Sequence, residues 1–229
     1  MKINKSKCEC IHYSTNNPET VYLIGVHQIP SVKTVGDLGI LIDNKLTFNP
    51  HVDALRTMCC KYINFIFRLL SIKQANPYIH LYKLSVLLRV LFASQIYGSG
   101  SSLALKNLES IQKYFTRKIF YRWNLQGSKP NYSQRLNLFF LRSLRTSILF
   151  EDILTLYKIM RRQLSFSLQI NFSKKNLARI VLSPVCSRLY GMSFYHRAMV
   201  AWNKLKLNRL PNSPLDISPH LSLPLLKIY

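Results

Sequence analysis

Apolar and polar residues repeat with two different periods in this chain, and the change falls near residue 48. Before it, short apolar runs alternate with polar residues. Cys8, Cys10, Ile11, His12 and Tyr13 read as a strand, with polar breaks at Thr15-Asn16-Asn17-Pro18 and around Pro30. After it, apolar positions recur every three or four residues. Asn49-Pro50 and Asn76-Pro77 each combine an N-capping residue with a proline suited to the first helical position, so each predicts a helix start. The first helix places Val52, Leu55, Cys59, Tyr62, Ile63, Ile66 and Leu70 on one face and Lys61, Asn64 and Arg68 on the other. A second runs from about Pro77 to Tyr97. A third, from about Leu103 to Arg122, buries Leu108, Ile111, Phe115 and Ile119 and shows Lys106, Lys113 and Arg117 on its far side, with Tyr114 beside them as a candidate stacking platform.

Gly127-Ser128-Lys129-Pro130 breaks this pattern. A short helix around Ser133 to Asn137 follows, then a longer one from about Ser143 to Arg162. An alternating patch from Ile180 to Val185 suggests a short strand. Ser193 to Leu205 reads as a last helix, with Phe194, Ala198, Ala201, Trp202 and Leu205 on one stripe, which makes Trp202 a core anchor. Beyond Asn208 the prolines at 211, 214, 219 and 224 predict an irregular tail over the surface.

Charge narrows the partners. The 229 residues carry 32 Lys plus Arg against 9 Asp plus Glu, a net charge of +23, and such a field suits a polyanion because each neutralised phosphate releases counterions. A hydrophobic content of 48% excludes a disordered basic tail. The acids are also absent where the cations gather: none lies between Asp53 and Glu109, where Arg56, Lys61, Arg68, Lys73, Lys83, Arg89 and Lys106 stand. Five cysteines match no zinc spacing, and Cys8-x-Cys10-x-His12 lacks a fourth ligand, so free thiols and no metal site are expected. Met1-Lys2-Ile3-Asn4 is not followed by an apolar leader, and the most apolar run, Leu84 to Tyr97, is short and contains Arg89. No membrane partner and an intracellular location, nuclear or cytoplasmic, are therefore expected.

Several motifs then fall in a fixed order. Asn4-Lys5-Ser6-Lys7-Cys8 and Asp37-Leu38-Gly39-Ile40-Leu41-Ile42-Asp43 come first. Leu108-Glu109-x-x-Gln112-Lys113-x-Phe115-Thr116-Arg117, Tyr132-Ser133-x-Arg135-Leu136 and Leu141-x-Ser143-Leu144 follow. Asp152-Ile153-Leu154-x-x-Tyr157-Lys158, Ser193-Phe194-x-x-Arg197 and Trp202-Asn203 complete the series. In this order they resemble the region after the catalytic loop in reverse transcriptases of non-LTR retrotransposons, particularly the jockey-like LINE group. The chain departs from that pattern at Gly36, where the family usually has lysine, and at Arg89-Val90, where it has Arg-Pro.

The resemblance implies a mainly α protein with a small β remnant of a polymerase palm at its N-terminus. Residues 1–48 would hold that remnant with a primer-grip-like motif, and residues 49–125 a thumb-like three-helix bundle. Residues 126–207 would form a C-terminal helical region and residues 208–229 an irregular tail. It further implies an RNA-directed DNA polymerase fragment that holds primer-template nucleic acid with little sequence preference. Lys7 aligns with the family's leaving-group lysine. No Tyr-Ala-Asp-Asp or other paired-aspartate loop is present, so no catalytic residue, no Mg²⁺ site and no polymerase activity are expected of this chain alone. Gly39, which permits a tight turn or close backbone approach, and Lys61, Arg68, Lys113 and Arg117 are the candidate nucleic-acid contacts. Arg135, Arg145, Phe194, His196, Arg197 and Trp202 read as structural. Two other readings stay open: an independent basic helical nucleic-acid-binding module, and a non-functional element remnant.

Overall fold

Helices built on the predicted apolar stripes dominate the computed structural model. It describes residues 3–13, 16–98, 102–122, 129–164, 170–174, 176, 178–187, 190–191, 193–207, 210–211 and 213–217. The N-terminal part holds three two-stranded sheets. β1 (Cys10–Ile11) pairs in parallel with β4 (Ser31–Val32), β2 (Leu23–Ile24) is antiparallel to β3 (His27–Gln28), and β5 (Thr34–Asp37) is antiparallel to β6 (Ile40–Asp43). The strand expected over 8–13 shrinks to two residues: the Cys8 N–H closes a 3₁₀ turn on Lys5, and at the other end the Asn17 side chain holds the His12 ring and the Tyr13 carbonyl.

The β5–β6 hairpin is the piece that meets the helices. Ile40 is buried against them, and the Leu41 N–H donates to His51 Nδ1 at 3.4 Å. Asp43 then organises the entry to α1 (Asn49–Leu69): its carboxylate accepts from Thr47 N–H at 3.1 Å, the Thr47 hydroxyl at 2.9 Å and Phe48 N–H at 2.6 Å. The helix starts where Asn49-Pro50 predicts. However, Phe48, in the left-handed region, occupies the cap position with no side-chain cap, and Asp43 instead fixes the Thr47 and Phe48 N–H groups that lead into the helix.

The second helix is not one rod. α2 (Ala75–Tyr82) passes through a π-helical turn at Lys83–Leu87 into α3 (Leu88–Leu91), and the chain breaks at Ala93, φ 51°, before α4 (Ser94–Tyr97). Two side chains compete with the helical ladder there: the Ser85 hydroxyl takes the Leu81 carbonyl, and Arg89 Nε takes the Ser85 carbonyl at 3.0 Å. The break re-aims α4 onto a later helix, α7 (Leu144–Met160), where Gln95 Nε2 donates to Thr155 Oγ1 at 3.0 Å. Gly98 ends α4 where a Cβ would collide with the Ser94 carbonyl oxygen and crowd the Arg197 guanidinium and Ile148 at 3.1 Å, so only glycine fits.

Among the described residues α5 (Ser102–Arg122), α6 (Tyr132–Leu138), α7 and α8 (Phe194–Lys204) follow, close to the predicted boundaries. Leu108, Ile111, Phe115 and Ile119 of α5 are fully buried with Val52, Cys59 and Ile63 of α1 and Tyr82 and Val90 of the broken rod. A second cluster joins Ile153, Leu156 and Tyr157 of α7 to Ala198, Met199 and Trp202 of α8. Tyr157, Ile180 and Trp202 lie in it beside Ile217, which is completely buried. The tail therefore does not simply cross the surface: Pro211 and Ile217 tuck in, around a 3₁₀ turn at Pro214–Asp216. The strand expected over 180–185 reduces to an isolated bridge between Phe172 and Ile180, with Val181 and Val185 exposed.

Candidate nucleic-acid interface

α1 and α5 run parallel. Three hydrogen bonds fix the direction: Asn107 Nδ2 to Asp53 Oδ1 at 3.0 Å, Tyr114 hydroxyl to Asn64 Oδ1 at 2.6 Å, and Arg122 Nη2 to the Leu70 carbonyl at 3.4 Å. Both helices bury their apolar stripes on one side of this seam. By helical periodicity, the residues opposite those stripes emerge together on the other side. Lys61 and Arg68 of α1 and Lys113 and Arg117 of α5 are all exposed there. Lys118 lies in the seam, donating to Asn64 Oδ1 and sitting 5.0 Å from the Phe67 ring.

Carboxylates are kept off this face. Asp53 sits at the N-terminal end of the seam, engaged by Asn107. Glu109 points the other way, accepting from the Tyr132 hydroxyl and from the main-chain N–H groups of Leu144 (3.3 Å) and Arg145 (3.1 Å) at the start of α7. A carboxylate at a helix N-terminus is favourable, so Glu109 serves as a joint between α5, α6 and α7. Burial, and after it the Glu109 carboxylate, push the Tyr132 phenol far above its ordinary range. None of the four outward cations forms an ion pair among the described residues, though Lys113 Nζ lies 5.4 Å from the Tyr132 ring. Such uncompensated cations can neutralise phosphates, contacts that carry no sequence information.

The other candidates fall elsewhere. Gly39 is at the tip of the β5–β6 hairpin with φ 85°, and a Cβ there would meet nothing within 4 Å, so its backbone angle rather than packing within the chain demands glycine. That hairpin joins α1 at His51, about 15 Å of helix rise before Lys61. Gly39 and the four cations are thus separate features. Lys7 is exposed on its 3₁₀ turn. Tyr114 is half-buried in the α1–α5 seam with its hydroxyl committed to Asn64, so it is no free stacking platform. All five cysteines are free; burial pushes the Cys59 thiol up to about 12. Among the described residues no three His, Cys, Asp or Glu side chains converge as a metal site would require, and no helix is long and apolar enough to cross a membrane.

Several motif residues prove to be joints. Gln112 Nε2 donates to the Arg142 carbonyl at 2.6 Å and its oxygen accepts from the Tyr82 hydroxyl at 3.3 Å. Arg135 binds the Pro130 carbonyl at 2.7 Å and the Thr116 hydroxyl at 3.3 Å. The Trp202 indole N–H donates to the Ala178 carbonyl at 2.8 Å. Asn203 grips Ile180 twice, accepting its N–H at 2.9 Å and donating to its carbonyl at 2.8 Å. Sequence reasoning did not assign this last role: an amide on the half-buried edge of a helix carries no periodic signal.

No family model matches the chain, and no solved structure matches it. An uncharacterized protein of Caenorhabditis elegans is 24% identical over 132 residues, which cover 58% of this chain and 66% of that protein. The chain thus spans just under two thirds of that relative's length.

Proposed function

We propose that this chain is the primer-template-gripping portion of a non-LTR retrotransposon reverse transcriptase of the jockey-like kind, lacking the catalytic carboxylates. The observation that carries the reading is the acid-free cationic face on the parallel α1–α5 pair. The ordered motifs from Asn4 to Asn203 support the family, and several helices they fall on are joined by motif side chains, Tyr132 to Glu109 and Arg197 to Asp152. In this reading residues 1–48 are a palm remnant, residues 49–125 a thumb, and residues 126–207 a helical region beyond it. A duplex must slide through a polymerase, so contacts go to the phosphates through Lys61, Arg68, Lys113 and Arg117, and bound sequence matters little. Mg²⁺, which the family's polymerases use, finds no cluster of carboxylates among the described residues.

The test is the salt dependence of binding to unrelated duplexes. If each of the four cations neutralises one phosphate, replacing all four with alanine reduces the slope of log K against log salt by about 3–4. A control replaces four exposed lysines elsewhere, Lys33, Lys158, Lys174 and Lys204. Equal losses from both sets would show diffuse attraction by the +23 charge and would remove support for the grip. Primer extension by the purified chain is expected to give no template-dependent incorporation.

A further inference from the structure

Phe65 stands in the middle of the cationic face and is 54% exposed. Lys61 precedes it by four residues and Arg68 follows by three, so all three share one side of α1. Met58 and Leu69 extend it into an apolar ridge, 37% and 61% exposed. Arg89 closes the far side of that ridge, its guanidinium 4.3 Å from the centre of the Tyr62 ring. Cations therefore frame the ridge on both flanks, and among the described residues no ring or cation covers Phe65.

Phosphate contact alone has no use for this ring. A continuous duplex hides its base faces within the stack and offers a protein only sugars, phosphates and groove edges. An unpaired base offers a flat apolar face close to a phosphate on either side, and an aromatic ring between cations matches that pattern. A second copy of this chain would have to bring another +23 charge against the same cations, which disfavours self-association through this ridge.

We infer that Phe65, framed by Lys61, Arg68 and Arg89, is a base-stacking residue, and that this face prefers nucleic acid with an unpaired base beside the duplex over continuous duplex. The inference rests on the nucleic-acid reading above and specifies its ligand.

The experiment uses the full chain and two RNA–DNA hybrids, one blunt and one with a short single-stranded overhang carrying 2-aminopurine at its first unpaired position. Wild type binds the overhang hybrid more tightly and changes the 2-aminopurine fluorescence. Phe65→Ala lowers affinity for that hybrid about 5- to 100-fold while leaving blunt-hybrid affinity and the salt slope unchanged. Phe65→Trp retains the preference, whereas Phe65→Leu, which keeps apolar bulk without a ring, loses it. Equal affinities of wild type and Phe65→Ala for the overhang hybrid, or full retention by Phe65→Leu, would overturn stacking alone. Failure of wild type to bind either hybrid in a salt-dependent way would overturn the underlying nucleic-acid reading. Sedimentation showing a wild-type dimer abolished by Phe65→Ala would assign the ridge to a second copy and overturn the inference.

Discussion

Arg197 holds Asp152 with two nitrogens, Nε to Oδ2 at 2.7 Å and Nη2 to Oδ1 at 3.1 Å, where the carboxylate has no exposure to solvent. Burial pushes the Asp152 carboxyl up, while the Arg197 hydrogen bonds and charge pull it down. The same guanidinium also reaches the Gln95 carbonyl at 3.4 Å, so one side chain joins α8, α7 and α4. Asp152→Leu or Arg197→Met alone leaves a buried charge unpaired and should cost roughly 3–5 kcal/mol. The double variant should lose clearly less than the sum. Urea unfolding of the three variants checks this, and additive losses would show that the two groups act independently.

Trp202 is 1% exposed, and its N–H is used by Ala178. Trp202→Ala should lower stability by about 3–5 kcal/mol through the cavity it leaves. Trp202→Phe should lose less, because most of the volume stays. A melting curve unmoved by Trp202→Ala would contradict the burial described here.

Asp43 should make part of the stability depend on pH. Burial raises its pKa, but the hydrogen bonds from the Thr47 main chain and hydroxyl and the Phe48 main chain outweigh burial and hold it below 3.8. A depressed carboxylate stabilises the fold above its unfolded value, and that contribution disappears as pH falls through the lower, folded value. At neutral pH Asp43→Asn should therefore be less stable than wild type, by about 1–3 kcal/mol. The gap should narrow in acid, below the 3.8 reference. Chemical denaturation across pH measures it; a gap that stays constant into strong acid would exclude the ionised carboxylate as its source.

Leu38 and Gly39 form the two-residue turn between β5 and β6, both with positive φ, 45° and 85°. That pair of angles belongs to a type I′ turn, which asparagine or glycine adopts more readily than leucine. Leu38 is also 87% exposed, so its side chain returns little packing. Leu38→Asn should raise stability, by less than the roughly 1–2 kcal/mol that a left-handed backbone costs an ordinary side chain. A lower melting temperature would show that Leu38 makes contacts that outweigh its backbone strain.

Periodicity was enough to place α1, α5, α7 and α8, since each carries an apolar stripe most of whose members are buried, with Tyr62, Leu149, Met160 and Phe194 half-buried. It was also enough to pair Lys61 and Arg68 with Lys113 and Arg117 as outward residues. It missed the break at Ala93 because no proline or glycine marks it; packing of α4 onto α7 sets it. It overestimated the strands at 8–13, where a 3₁₀ turn takes the Cys8 N–H, and at 180–185, where the Asn203 side chain takes both main-chain groups of Ile180. Counting charge singled out the cations of α1 but passed over Phe65, which departs from the apolar stripe and carries no charge. Tyr114 was misplaced for the opposite reason: its position beside the cations is legible, whereas its bond to Asn64 depends on a helix about 50 residues away.

One helix belongs to both hydrophobic clusters. α7 gives Leu144 and Ile148 to the first and Ile153, Leu156 and Tyr157 to the second. Neither cluster can melt without stripping half of that helix of its neighbours, so denaturation should proceed as a single cooperative transition. Amide protons in the middle of α7 should then be among the slowest in the molecule to exchange with deuterium, opening only when the whole chain does.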